Sequence, residues 1–147
     1  MTKKPVKRRD PLNPRQRSIQ MARVRATRNR STEMHVAARL IRQKVRGWKR
    51  HASEVPGRPD FWFVRERVAV FVDGCFWHGC PQCRRNVPSS RRAFWKQKIA
   101  ANRRRDQRVK RLLRGQGCAI FRVWEHELSN PRWLDRLRAI LQRYSQG

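Results

Sequence analysis

Carboxylates are what this sequence has least of. Its 147 residues hold 10 Asp and Glu against 38 Lys and Arg, a formal charge of +28. Self-repulsion of that size opposes compaction, and a polyanionic partner, nucleic acid first, would relieve it. The basic residues occur along the whole chain, so the charge is more than a tail. The scarcity also narrows the chemistry. A hard-cation site must draw on Asp10, Glu33, Glu54, Asp60, Glu66, Asp73, Asp106, Glu125, Glu127 and Asp135. The sequence also lacks a run of 18 apolar residues and an apolar segment near its start, which argues against a membrane span or a secretory signal. What it does have is six tryptophans, more than the core of one small domain needs, which argues against a mere basic coat for RNA.

The cysteines are Cys75, Cys80, Cys83 and Cys118. Three fall close together beside a histidine, which favours metal over disulfides in an intracellular chain. Cys75-x4-Cys80-x2-Cys83 places three thiolates on one turn, and a tetrahedral zinc needs a fourth ligand from elsewhere. Cys118 and His126 stand at opposite ends of one strand segment, about 26 Å apart if extended, so only one reaches. His126 is chosen because it leaves the strand, whereas Cys118 sits among core residues and reads as a small buried hydrophobe. A site closed by four protein ligands is structural.

Residues 1–17 read as a disordered basic arm and residues 18–147 as one domain. A short helix is predicted over 18–25. A longer one is predicted over 32–46, capped by Ser31 or Thr32, carrying Glu33 in its first turn and ended by Gly47. Residues 48–55 read as a strand or extended segment, and Pro56-Gly-Arg-Pro59 as a turn. Strands 61–65 and 68–72 are joined by a tight connection at Glu66-Arg67. Counting outward from that turn sets Asp60 opposite about residue 73, where neighbouring strands could hold a divalent cation. A long helix over 91–114, a strand over 118–124 and a helix over 131–143 complete the chain. Helices packed on a small mixed sheet make an α/β domain. Asn102 and Asp106 interrupt the apolar stripe of the long helix, and they are expected to bond a neighbouring loop.

Asp60 is the leading carboxylate for a cation that neutralises a phosphodiester and activates water. Glu33 is either a first-turn acid or part of that site. His78 lies beside the zinc-type cysteines yet is not needed to fill their site, which frees it to move a proton near neutrality. Phe76 and Trp77, pinned between two thiolates, and Trp95 at the start of the long helix could stack on bases or wedge between them.

These residues fall in an ordered series: Arg17-Ser-Ile-Gln-Met-Ala-Arg23, Glu33, Pro56-Gly-Arg-Pro-Asp-Phe61, Val70-Phe-Val-Asp-Gly-Cys-Phe-Trp-His-Gly79, Phe94-Trp-Lys-Gln-Lys98 with Asn102 and Asp106, and Val123-Trp-Glu-His-Glu-Leu128. The series resembles the very-short-patch mismatch repair (Vsr-type) endonucleases. The resemblance implies a restriction-endonuclease-like fold with a structural zinc on Cys75, Cys80, Cys83 and His126. It implies strand-specific, Mg2+-dependent nicking of duplex DNA beside a T:G mismatch, leaving 5′-phosphate and 3′-hydroxyl. Asp60 and the Val72 backbone carbonyl would bind Mg2+, Glu33 would act through metal-bound water, and His78 would be the general base or acid. Phe76, Trp77 and Trp95 would insert beside the mismatch, and Arg23, Arg58 and Lys98 are taken as further DNA contacts. A cytoplasmic, nucleoid-associated monomer is expected, with other mismatch-repair factors as candidate partners. Where the family is expected to carry Thr-His this chain has Val72-Asp73, and Asp73 could give the metal a second carboxylate. The competing readings are a non-catalytic zinc-containing nucleic-acid-binding module and a restriction or defence nuclease without mismatch preference.

Overall fold

The computed structural model describes residues 13–83, 86–89 and 91–146. Most of the expected basic arm, residues 1–12, lies outside the described residues. Pro14 to Arg17 belong to the first helix.

Helix α1 runs Pro14–Arg42 without a break, where two helices were expected. Its start is a capping box. The Asn13 side chain accepts from the Gln16 backbone N–H at 2.8 Å, and the Gln16 side chain accepts from the Asn13 N–H at 3.0 Å, with Pro14 in the first turn. No glycine or proline falls between Arg15 and Arg42 to interrupt it. Ser31, Thr32 and Glu33 therefore lie in the helix interior, and the N-cap is Asn13. The helix stops before Lys44, whose φ is +55°, ahead of the expected Gly47.

Among the described residues the sheet has four strands, β1 (Trp48–Arg50), β2 (Phe61–Phe63), β3 (Val68–Asp73) and β4 (Ala119–Trp124), in that spatial order. β1, β2 and β3 form an antiparallel meander, and β4 pairs parallel with β3 across a crossover through α2 (Arg92–Gly115). Helix α3 (Arg132–Ser145) closes the chain. β1 and β2 are shorter than expected. β1 ends where His51 takes φ +50°, and the β2–β3 turn spans residues 64–67 with Arg67 at φ +53°. With Phe61 paired to Val70 and Phe63 to Val68, Asp60 falls opposite Phe71 rather than residue 73. The slip is two residues, so side chains keep their faces.

Helices cover both faces. Val36 and Leu40 of α1 and Trp133, Leu134 and Leu137 of α3 pack with Phe61, Phe63, Val70, Val72, Phe121 and Val123 on one side. Leu113 of α2 packs with Trp62, Ala69, Phe71 and Cys118 on the other. This explains why β3 is buried at all six positions, reading as a continuous apolar run up to Asp73. Cys118 is 6% exposed in this core, as expected of a small hydrophobe. Gly57, at φ +80°, lets the 56–59 turn press against α2. A Cβ there would stand 2.4 Å from a Val109 methyl. That close approach delivers Asp60 to the C-terminal end of β3.

Candidate active site

Two groups of polar side chains flank the C-terminal end of β3. The first is Glu33 of α1, His51 after β1 and Asp60 before β2, with one ligand-type atom from each lying within 4.8 Å of the others. Asp60 Oδ2 accepts from the Val72 backbone N–H at 2.6 Å. Glu33 is buried, 8% exposed, and its Oε2 receives Arg50 Nη2 at 2.9 Å and lies 3.1 Å from His51 Nε2. Successive residues of a strand point to opposite faces, yet Arg50 and His51 reach the same oxygen. The left-handed backbone at His51 accomplishes this, a conformation that costs an L-residue roughly 1–2 kcal/mol. Burial, and then the neighbouring Glu33, raise the Asp60 carboxyl, against the lowering effect of the Val72 N–H, to about 7. A half-buried carboxyl raised in this way beside a buried carboxylate fits a divalent cation, which would supply positive charge.

The second group is His78, Asp106, Asp73 and Arg122. Asp106, one of the two polar residues on the apolar stripe of α2, meets His78 Nδ1 at 2.6 Å. The proton on that bond fixes the imidazole with Nδ1 donating and Nε2 free to accept. Burial would raise Asp106, but the hydrogen bonds from His78 and Arg122 outweigh it and hold the carboxyl below the usual range. Asn102, the other interrupting residue, donates to the Trp77 carbonyl at 2.8 Å, so both bond the neighbouring loop as expected. Asp73 is 3% exposed and lies on this side, with Oδ1 3.8 Å from His78 Nδ1 and Oδ2 3.2 Å from Arg122 Nη1. The Arg122 contact is an ion pair without hydrogen-bond alignment, since Asp73 Oδ2 has no hydrogen-bond partner among the described residues. Burial raises Asp73, with Arg122 and His78 opposing. Its charge is felt at Asp60, but its side chain belongs with His78.

Cys75, Cys80, Cys83 and His126 converge at one point. His126 Nδ1 stands 3.2, 3.7 and 3.3 Å from the three sulfurs in that order. The edge of a tetrahedron with zinc–sulfur and zinc–nitrogen bonds is about 3.6 Å, so the cluster could hold zinc. His126 Nε2 donates to Gln82 Oε1 at 2.8 Å, which leaves the Nδ1 lone pair facing the thiols. Burial and the adjacent thiols push Cys75 up to about 12, against a backbone hydrogen bond from His126 that lowers it. A bound cation reverses that balance.

The loop between these thiols carries Phe76, Trp77 and His78. Phe76, Trp77 and Trp95 meet edge to face at centroid distances of 5.2, 5.5 and 5.7 Å, and Phe94 extends the cluster to a half-exposed position. A cleft of about 290 Å³ lies beside Trp77 and Trp95, bordered by Met21 of α1 and by Lys98. Arg23 is exposed on α1, and Arg58 is exposed two residues before Asp60.

The fold thus gathers Asp60 and Glu33 on one side, and His78 and Asp73 on the other. Sequence reasoning missed His51, Arg50, Arg122 and Gln82. His51 lay in a segment read as extended, and its positive φ is what lets the exposed ring reach Glu33. The pairing of Asp106 with His78 had a signal, an acid on an apolar stripe, but no indication of its partner.

The family whose model matches residues 9–85 is described as "DNA mismatch endonuclease Vsr". The chain is 41% identical over 135 residues to the "Type II nicking enzyme V.XorIIP" of Xanthomonas oryzae pv. oryzae, covering 90% of this chain and 96% of that one. It is 33% identical over 138 residues to V.HpaIIP, the same kind of enzyme from Haemophilus parainfluenzae, covering 91% and 97%. To the "DNA mismatch endonuclease Vsr" of Escherichia coli it is 38% identical over 100 residues, covering 68% of this chain and 64% of that one.

Proposed function

This chain belongs to the Vsr family of DNA endonucleases, and we propose that it nicks one strand of duplex DNA beside a T:G mismatch in a Mg2+-dependent hydrolysis. The observation that carries the reading is the placing of two complementary groups at one strand end. Half-buried Asp60 beside buried Glu33 suits a cation, and His78, oriented by Asp106, suits proton transfer. Asp60 and Glu33 would hold the cation, with the Val72 carbonyl as a further donor. Bound there, Mg2+ would neutralise charge on the scissile phosphate and lower the pKa of a water.

The protein's own part follows from its contacts. Asp106 keeps the Nδ1 proton of His78, so Nε2 takes the proton of the attacking water. Asp73 and Arg122 surround that pair and fix the ring. Water attacks phosphorus, the bond from phosphorus to the 3′-oxygen breaks, and that oxygen takes a proton from solvent, leaving 5′-phosphate and 3′-hydroxyl. Structural zinc on Cys75, Cys80, Cys83 and His126 would fix the loop that carries His78. The same loop presents Phe76 and Trp77 with Trp95 as a rigid aromatic wedge, and a T:G pair, weaker than a matched one, yields to it most easily. Arg23, Arg58 and Lys98 would engage the phosphates around it.

A panel of duplexes carrying T:G in several sequence contexts, with matched controls, tests the reading by strand-resolved cleavage with and without Mg2+. Nicking confined to the mismatched duplexes supports it. Cutting of matched DNA moves the activity to restriction, and tight binding without cutting across the panel leaves a binding module.

A further inference from the structure

We propose that His51 is a third side-chain ligand of the cation site at Glu33 and Asp60, and that its imidazole gives the site a preference for Mn2+ over Mg2+. The inference rests on the reading of Asp60 as a cation-binding carboxylate and goes beyond it by adding a nitrogen donor.

Three observations converge on His51. Its Nε2 lies 3.1 Å from Glu33 Oε2, and one of its ring nitrogens is grouped with Glu33 and Asp60 within ligand–ligand range. Its backbone leaves the strand in the left-handed region, φ +50°, which lets its ring reach the oxygen already met by its neighbour Arg50. A left-handed histidine at the end of a strand is a position the fold must hold in place. Its backbone N–H is tied to the Asp60 carbonyl at 3.3 Å, so the backbones of two ligands move as one unit. An arginine alone already serves Glu33 as a counter-charge, so neutralising that carboxylate gives no reason for the imidazole to be there too.

The donor set decides the ion. Mg2+ takes oxygen ligands and keeps most of its waters. Adding an imidazole to two carboxylates favours first-row transition ions, which bind nitrogen more strongly. The ligand form of His51 is the neutral ring with its lone pair on Nε2. Arg50 can retain a bond to Glu33 while the carboxylate turns its remaining lone pairs to the ion.

The test uses zinc-loaded full-length protein with Mn2+ as the probe, read by electron spin echo modulation and by titration of the free Mn2+ signal. The expected result is modulation from a histidine nitrogen that changes when the protein carries 15N-histidine. It should survive in His78→Gln and vanish in His51→Gln. Mn2+ affinity should fall by about tenfold or more in His51→Gln, with a smaller change for Mg2+ measured by competition. Labelling of the unmodified protein keeps the test independent of how well the variants fold. Mn2+ bound in an Asp60-dependent way without histidine modulation, or with modulation that survives His51→Gln, overturns this proposal and leaves the Asp60 reading standing. Mn2+ binding unaffected by Asp60→Asn overturns both.

Discussion

Burying Asp60 beside Glu33 carries a cost that shows in the protein free of divalent cation. Its folded-state value of about 7 lies above the ordinary 3.8, so between those pH values the native state keeps a proton that the unfolded chain has released. Stability contributed at this site is therefore present at low pH and lost as pH rises through about 4 to 7, on the order of a few kcal/mol. Thermal unfolding of zinc-loaded protein without added Mg2+ should show that loss. Asp60→Asn, which keeps an acceptor for the Val72 N–H, should be more stable than the parent at pH 8 and gain nothing at pH 4. Equal pH slopes for the two proteins would refute this. Adding Mg2+ should restore stability to the parent alone. Residue by residue, the sequence singled out Asp60, the clustered thiols, His78 and His126 because their types are rare here and their chemistry is specific, but it passed over His51. It did not show which partners they meet. Glu33 was equally readable as a first-turn acid, and only its place in the interior of α1, against Arg50 and His51, removes that explanation.

At the scale of elements, the apolar periodicity gave α2, β4 and α3 to within a residue or two. β1 and β2 were over-extended because positive φ at His51 and Arg67 has no glycine to announce it. The gap between the two helices expected in α1 has no breaker residue, so the polar stretch simply continues as helix. The 56–59 turn, legible from its prolines and glycine, has a packing role that was not. Gly57→Ala would drive a methyl into Val109 and strain a backbone at φ +80°. It should cost about 1–3 kcal/mol in denaturant unfolding, with Val109→Ala recovering only part, because the backbone strain remains. A full recovery would place the whole cost in the side-chain clash. In the loop 74–83 only Cys75 and Cys80 are fully buried, and Phe76 and Trp77 are half-buried against Trp95. Removing zinc should therefore expose it selectively. The amides of His78 and Cys80, bonded to Gly74 and Cys75 carbonyls at 3.2 and 2.9 Å, should lose hydrogen-exchange protection while Val70 in β3 keeps it. Uniform loss of protection would mean that the whole domain depends on the metal.

At the scale of the molecule, a charge of +28 on 147 residues makes binding to DNA steeply salt-dependent. With roughly six to ten phosphate contacts, affinity should fall about 10³–10⁵-fold between 50 and 200 mM salt. Fluorescence anisotropy on one duplex across that range checks it, and a flat response would contradict a basic DNA-facing surface. No helix among the described residues is long and apolar enough to cross a membrane. The sheet order and both helical layers serve one geometric end. They bring α1, β1 and β2 to one side of the β3 terminus, and α2, β4 and the cysteine loop to the other. The central claim is that hydrolysis needs both sides. Single-turnover nicking of a T:G duplex, with DNA affinity measured in parallel, tests it on Asp60→Asn, His78→Gln and Asp106→Asn. The expected result is a loss of about 10²–10⁴-fold in rate for each, with binding retained. Full-rate nicking by Asp60→Asn or by His78→Gln would contradict the account.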